Sequence, residues 1–455
     1  MFTYVKFKNF KSLVDVELNL KNKNKINKLN IIYGENGAGK SNLASAFYTL
    51  MEFNETMSAP RFIKSVLSKL NKEEDTDGMF DDDKYNNEKI KRLIDQLKDG
   101  YRDTQDIIKN VKTIASKENM SLEYGFRLNG FNGSYYIETD NDYIIHEKLY
   151  YKLEKNRGCY FEIYPEKNIF KLNEKVFLDK NYSEDMYKKI DEYWGKHTLI
   201  SIINNDIENK TESYYNEKLS DNFKEVLQFL SYFSCTCKEG TRMERGSLNS
   251  DRRIMFNLKS GKMDFNDDND KELEEIEDVL NSIFTGLYSD IKRVYYKKEI
   301  EDEKIHYQLY LKKLINNKVL DINFNRESTG TMRILDILPA ILQAIRGNVS
   351  IIDEFDSGIH DLMVRDILKE VNRNIEGQLI LTTHNTLLLE EKEFLKNIYF
   401  IVIDGRGKKQ ILNIGDYDNR THPNHNARDL YLKGMYQAVP NTGNFNLEEV
   451  KQKLL

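Results

Sequence analysis

Two short stretches near opposite ends of the chain decide what it can fold into. The first is "GENGAGKS", residues 34–41, which follows the apolar run "LNIIY". Gly34 and Gly39 let the backbone turn its N–H groups inward around phosphate oxygens. Lys40 then reaches the β- and γ-phosphates, and Ser41 offers its hydroxyl to magnesium. The helix expected next points its positive end at the same place. The second stretch is "VSIIDEFD", residues 349–356, an apolar strand that ends in Asp353 and Glu354. Asp353 is suited to hold magnesium through water, and Glu354 to act as base toward an attacking water. Roughly 300 residues separate Lys40 from Asp353, whereas a compact domain closes such a gap in about 150 to 200. The expected architecture is one α/β core interrupted by large insertions.

The hydrophobic pattern supplies the elements. Val14, Val16, Leu18 and Leu20 alternate with polar residues, as in a half-buried strand, and Leu29 to Tyr33 suit a strand covered on both faces. Leu43, Ala46, Phe47, Leu50 and Met51 mark one face of a helix after the loop. Residues 1–58 and 121–180 read as the N-terminal half of the core. Residues 59–120 read as an insertion: the acidic run "KEEDTDGMFDDDK", then a helix marked by Ile90, Leu93, Ile94, Leu97, Tyr101, Ile108 and Val111. Residues 181–285 read as a mainly helical insertion, 286–415 as the C-terminal half of the core, and 416–455 as a tail. Within 286–415 the expected order is strand, strand, helix, strand, helix, strand, helix, strand.

Two further motifs add polar groups at element ends. "ESTGTMRILDIL" places Ser328 and Gly330 at the start of an apolar helix, where a hydroxyl and free N–H groups form an anion site. "LILTTHN" ends a strand in His384, and such a position in an open α/β sheet faces the ligand crevice.

Composition narrows the partners. A net charge of −6 and a pI near 5.8 argue against a surface that coats nucleic acid, although a local basic groove would not show in the sum. Three cysteines form no disulfide framework and suit a reducing cytosol, with Cys235 and Cys237 read as ordinary thiols. No signal peptide and no run of about 20 apolar residues is found, so the expected location is the cytoplasm, with no membrane partner. "DFNDDNDKELEE" (264–275) approximates a calcium loop, but Asn269 replaces its glycine, and it reads as a solvated acidic loop. His422 and His425 have no carboxylate cluster beside them, which argues against metal or nuclease chemistry there; if nuclease action is involved, it is expected on another chain.

Phosphate loop, helix-start serine and glycine, Asp-Glu strand and histidine strand, in that order, resemble an ABC-type ATPase. "NFKS" at 9–12, "ESTGTMR", "IDEFDSGIH", "TTHNTLLL" and "YLKGMYQAVPN", with the long insertion before the signature, resemble the RecF, SMC and OLD branch. Within it the likeness is to bacterial AAA ATPases of the RloA and AbiL kind, which are phage-defence ATPase subunits. The likeness covers both ends of the chain and touches 59–285 only loosely. It implies an α/β fold, an ABC-type P-loop core of mixed sheet and flanking helices. It implies ATP and Mg2+ as cofactors and hydrolysis of ATP to ADP and phosphate. By the same likeness Asn36, Gly37 and Asn42 join Gly39, Lys40 and Ser41 around the nucleotide, and Lys11 and Ser12 lie near it. Ser328, Gly330 and Arg333 would form a signature that completes the site of a second subunit. Glu354 would be the catalytic base and His384 the γ-phosphate switch. Glu327 stands where transporters carry leucine, His360 stands where the usual D-loop aspartate falls, and no Q-loop glutamine is identified. One loop and one signature imply a homodimer or larger homo-oligomer with ATP in the interface. The expected output is control of a separate effector, a nuclease or toxin, in antiviral defence. The alternative is a RecF- or SMC-like ATPase for DNA repair or tethering, with nucleic acid as partner.

Overall fold

The structure is a computed structural model that describes residues 1–58, 102–208, 210, 212–239, 243–247, 257–417, 426–439 and 446–454. The acidic run at 72–84, the helical pattern from Ile90 to Tyr101, and His422 and His425 lie outside the described residues. The chain forms two compact units, Met1–Ser231 with Leu389–Leu455, and Tyr232–Leu388. Sheets and helices mix in both, so the class is α/β.

In the first unit, seven antiparallel strands run Ile169–Leu172, Arg157–Tyr164, Ile144–Lys152, Phe131–Thr139, Met120–Leu128, Phe2–Phe10 and Leu13–Asn19. Alternation drives this sheet: Val5 and Phe7 are buried while Lys6 and Lys8 face solvent. The strand read around Val14 to Leu20 exists, but its first residue points the other way. Val14 is 51% exposed and Val16 6%. Phe7 pairs with Val16 and Phe10 with Leu13, and both pairs are buried. Between them Asn9 takes a left-handed backbone (φ 53°) and interrupts the alternation, so Leu13 takes the buried place.

A second piece of sheet in this unit carries the phosphate-loop motif. Leu29–Gly34, buried throughout, pairs parallel with Ile398–Ile403, which pairs antiparallel with Lys409–Asn413. The helix Lys40–Glu55 is buried on more than the one face expected, because helices Thr104–Val111, Leu199–Glu208 and Asp221–Ser231 all pack on it. The Tyr124 hydroxyl donates to the Ala46 carbonyl (2.6 Å) and the rings of Phe2 and Phe47 meet edge-on, tying the helix to the antiparallel sheet. The tail motif supplies aromatic cover. Phe400 stacks on Tyr436 (4.6 Å between ring centroids) and Tyr431 (5.7 Å), with Tyr33 and Tyr417 at its sides.

In the second unit, Met243–Ser247, Ser234–Glu239, Val349–Ile352 and Gln378–Thr382 lie side by side, the first pair antiparallel and the others parallel. The helix Asp361–Asn374 crosses over between the last two strands, a βαβ unit. The two strands at 234–247 fall in the stretch read from sequence as mainly helical. Cys235 and Cys237 are buried there, as expected of core thiols on an interior strand. A second, antiparallel sheet holds Ser260–Asp264, Lys304–Ile315, Ile291–Glu301 and Lys318–Asn323, with helix Asp267–Leu287 against it. Asn266 caps that helix by accepting from the Asn269 N–H, so the acidic stretch is a helix start and not a loop. The third helix expected after His384 is replaced by short 3-10 turns, Thr386–Glu390 and Leu395–Asn397.

The register at Val14 is directly testable. Val16→Ala is expected to cost about 1–3 kcal/mol in chemical denaturation followed on the first unit, and Val14→Ala within about 0.5 kcal/mol. Equal costs would refute the assigned facing.

Candidate functional site

The strand Leu29–Gly34 delivers the chain into the loop, and glycines make the turn. Gly37 (φ 82°) and Gly39 (φ 110°) have left-handed backbones, and Gly39 caps the helix Lys40–Glu55. Room is also short. A Cβ on Gly39 would lie 3.2 Å from Ser12 Oγ, and one on Gly34 3.0 Å from the Ala38 Cβ. Lys40 is 7% exposed, and its Nζ donates to the carbonyls of Gly34 (2.8 Å) and Glu35 (3.2 Å). Asn36 and Gly37 stand exposed at the crest, while Ser41 and Asn42 begin the helix.

Lys11 and Ser12, expected near the nucleotide, are drawn to this loop by their turn. Lys11 has a left-handed backbone (φ 46°), its N–H donates to the Val111 carbonyl (2.6 Å), and its carbonyl accepts from the Thr113 hydroxyl (2.7 Å). Helix Thr104–Val111 and the residues after it therefore fix the turn. Ser12 Oγ accepts from Asn42 Nδ2 (2.7 Å) and from Lys409 Nζ (2.7 Å), and Lys409 also donates to the Gly37 carbonyl (3.0 Å). Sequence reading missed Lys409, because nothing marks it in a chain with so many lysines.

The second unit gathers the other candidates. Asp353 is buried, and its Oδ1 accepts from the Thr382 hydroxyl (2.5 Å). The same hydroxyl oxygen accepts from the Glu354 N–H (2.8 Å), and the Thr382 carbonyl accepts from the Phe355 N–H (3.0 Å). Thr382 ends the neighbouring parallel strand, so register alone puts it beside the acidic turn. Glu354 holds a left-handed backbone (φ 47°), which costs a non-glycine residue about 1–3 kcal/mol. Arg333 fixes the other side. It is buried, and its Nη2 donates to the carbonyls of Asp353 (3.0 Å) and Glu354 (3.2 Å).

Ser328 caps helix Thr329–Ile345, accepting from the Thr331 N–H (3.1 Å). Glu327 just before it accepts from Lys313 Nζ with both carboxylate oxygens (2.8 and 2.9 Å), and burial of Lys313 opposes the rise in its pKa that this pairing causes. Gly330 allows close packing: a Cβ there would lie 2.3 Å from the Gly358 carbonyl oxygen. His384 is exposed at its strand end, and its N–H donates to Asp356 Oδ2 (3.0 Å) in the turn after Glu354. His360 caps the helix Asp361–Asn374, accepting on Nδ1 from the Leu362 N–H (3.2 Å). Thus Ser328, Gly330, Arg333, Asp353, Glu354 and His384 share one unit, and Lys11, Ser12, Asn36, Gly37, Gly39, Lys40, Ser41 and Asn42 share the other.

The chain belongs to the family described as "AAA domain, putative AbiEii toxin, Type IV TA system", which matches residues 29–390. Membership in an AAA-domain family implies nucleotide binding. Comparison with curated protein sequences returns no match. Among solved structures, the chain is similar to the SMC head domain from Thermotoga maritima (12% identity, 90% of this chain and 98% of that one, TM-score 0.36). It is also similar to an SMC head bound to the C-winged helix domain of ScpA (14%, 90% and 96%, 0.39) and to the recombination mediator RecF (12%, 90% and 98%, 0.36). All three scores lie below 0.5, so the fold stands on the strand order itself and the family on the sequence match. Among the described residues no helix is long and apolar enough to cross a membrane.

Thr382→Val keeps the shape of the residue and removes the shared hydroxyl. Leaving the Asp353 carboxylate and the Glu354 N–H without it is expected to cost about 1–3 kcal/mol, read as faster hydrogen exchange at residues 353–355. Exchange unchanged from wild type would show that the hydroxyl does not hold this turn.

Proposed function

We propose that this AAA-domain protein binds ATP with magnesium and hydrolyses it to ADP and phosphate as an ABC-type ATPase. One observation carries the reading: a buried Lys40 ammonium resting on the carbonyls of its own glycine-turned loop. The Lys40 ammonium held at that position is suited to meet a polyphosphate's charge, and the left-handed Gly37 and Gly39 leave the backbone free to wrap it. Each unit carries groups suited to a magnesium-bound nucleotide. Ser41 offers a hydroxyl at the helix start, and Asp353 a carboxylate already oriented by Thr382. Magnesium, when bound, neutralises part of the triphosphate charge.

In the proposed reaction Glu354 takes a proton from water as the water oxygen bonds to the γ-phosphorus. The bond from that phosphorus to the bridging oxygen breaks, and ADP carries the electron pair away. Arg333 and Thr382 hold the Glu354 main chain in its costly conformation, so the carboxylate is set before reaction. His384, tied to the same turn through Asp356, is suited to respond to the γ-phosphate. The capped helix start at Ser328 and Gly330 would complete the site of a second copy, giving a homodimer or larger assembly with ATP between the copies. Arg333 serves this arrangement from within, as the link between the signature helix and the acidic turn. In this reading nucleotide state is passed to a separate effector in antiviral defence; the family's description, which names a putative toxin and a toxin-antitoxin system, is the support for a toxin as that effector.

Glu354→Gln is expected to lower ATP turnover by about 10²–10⁴-fold while leaving ATP binding in place. Its mass in solution with ATP and magnesium should be that of a dimer or larger. A variant that turns over ATP at the wild-type rate would refute the catalytic role of Glu354, and a trapped mutant that remains monomeric would refute the shared site.

A further inference from the structure

One buried cation is not used by the chemistry above. Lys409, at the start of the strand Lys409–Asn413, is 9% exposed, and its ammonium reaches the back of the phosphate loop. It donates to Ser12 Oγ (2.7 Å) and to the Gly37 carbonyl (3.0 Å), and a Cβ on Gly39 would lie 3.4 Å from its Nζ. Three segments far apart in sequence therefore meet at one ammonium: the Lys11–Ser12 turn, the loop, and a strand near the end of the chain. Both hydrogen-bond acceptors are neutral, and Glu35 attracts it only at longer range. Burial pushes the Lys409 pKa down, and Glu35 opposes that shift. A buried ammonium answered by a hydroxyl and a carbonyl is under-compensated in charge. Its field falls on the loop crest, where Gly37 and Gly39 turn.

We propose that Lys409 is a positioning residue of the nucleotide site, a second lysine behind the loop that fixes Ser12 and Gly37 and adds positive potential for a nucleoside triphosphate. This deepens the ATP-binding reading and rests on it. The role separates from that of Lys40, which emerges from the loop itself. A lysine that sets loop shape and potential acts on binding more than on the bond-breaking step, so its loss should raise KM and leave kcat near its wild-type value.

The test is ATP affinity and its salt dependence for the full chain and for Lys409→Gln, Lys409→Arg and Lys40→Ala. Lys409→Gln keeps hydrogen-bond donors and removes the charge. It is expected to weaken ATP binding by about tenfold or more, the size of a lost charged hydrogen bond. It should also flatten the fall of affinity with salt, and leave kcat at saturating ATP within about twofold. Lys409→Arg should recover most of the affinity. Wild-type affinity and salt slope in Lys409→Gln would overturn the proposal. So would a weakening with an unchanged salt slope and no rescue by arginine, since that marks a packing strut. Wild-type ATP binding by Lys40→Ala would instead strike at the ATP-binding reading itself. Should Lys409→Gln not fold, amine acetylation of the wild-type chain decides: slower modification at Lys409 under saturating ATP supports the role, and an unchanged rate overturns it.

Discussion

Buried cations that donate to main-chain carbonyls hold the candidate machinery together. Lys40 reaches Gly34 and Glu35, Lys409 reaches Gly37, and Arg333 reaches Asp353 and Glu354. A carbonyl is a fixed acceptor, so each of these contacts shapes a loop at a defined place. Without such acceptors a buried ammonium or guanidinium would carry a large desolvation cost.

The acidic turn shows the same logic in its strain. Glu354 could relax toward an ordinary backbone if only one contact restrained it. It does not, because the Thr382 hydroxyl holds its N–H and Arg333 holds its carbonyl. Gly330 and Gly358 matter here too. Their close approach sets helix Thr329–Ile345 against the residues that follow the turn, and a methyl group between them would collide with the Gly358 carbonyl. Strain at this one residue is thus offset by packing that extends from Ser328 to Gly358, all of it within the second unit.

Much of this was legible in sequence, and the reason is local geometry. The phosphate loop is read from glycines whose positive φ has few alternatives, and the Asp-Glu turn from an apolar strand ending in two carboxylates. The helix after the loop was read from its period, although its wide burial was not, since that depends on which other helices arrive. What stayed hidden depends on register or on long-range contact. Val14 fits the alternation of its strand and is turned outward by Asn9, a conformation that no period shows. Thr382 matters because parallel pairing of Val349–Ile352 with Gln378–Thr382 sets it beside Asp353. Lys409 is one lysine among many until the sheet closes. Strands Ser234–Glu239 and Met243–Ser247 are short and carry little pattern against the helices around them.

The first unit is made from both ends of the chain, and this bears on when the phosphate loop takes its shape. Leu29–Gly34 pairs parallel with Ile398–Ile403, and Lys409 follows on the next strand. Tyr431 and Tyr436 then cover Phe400 from the tail. Closing so long a loop is entropically unfavourable, and it is repaid only when the late strand and its aromatic cover are both in place. The buried environment of Lys409 therefore cannot form before the second unit has been synthesised. The loop therefore takes its final surroundings only after residues 389–413 have left the ribosome, late in the making of the chain.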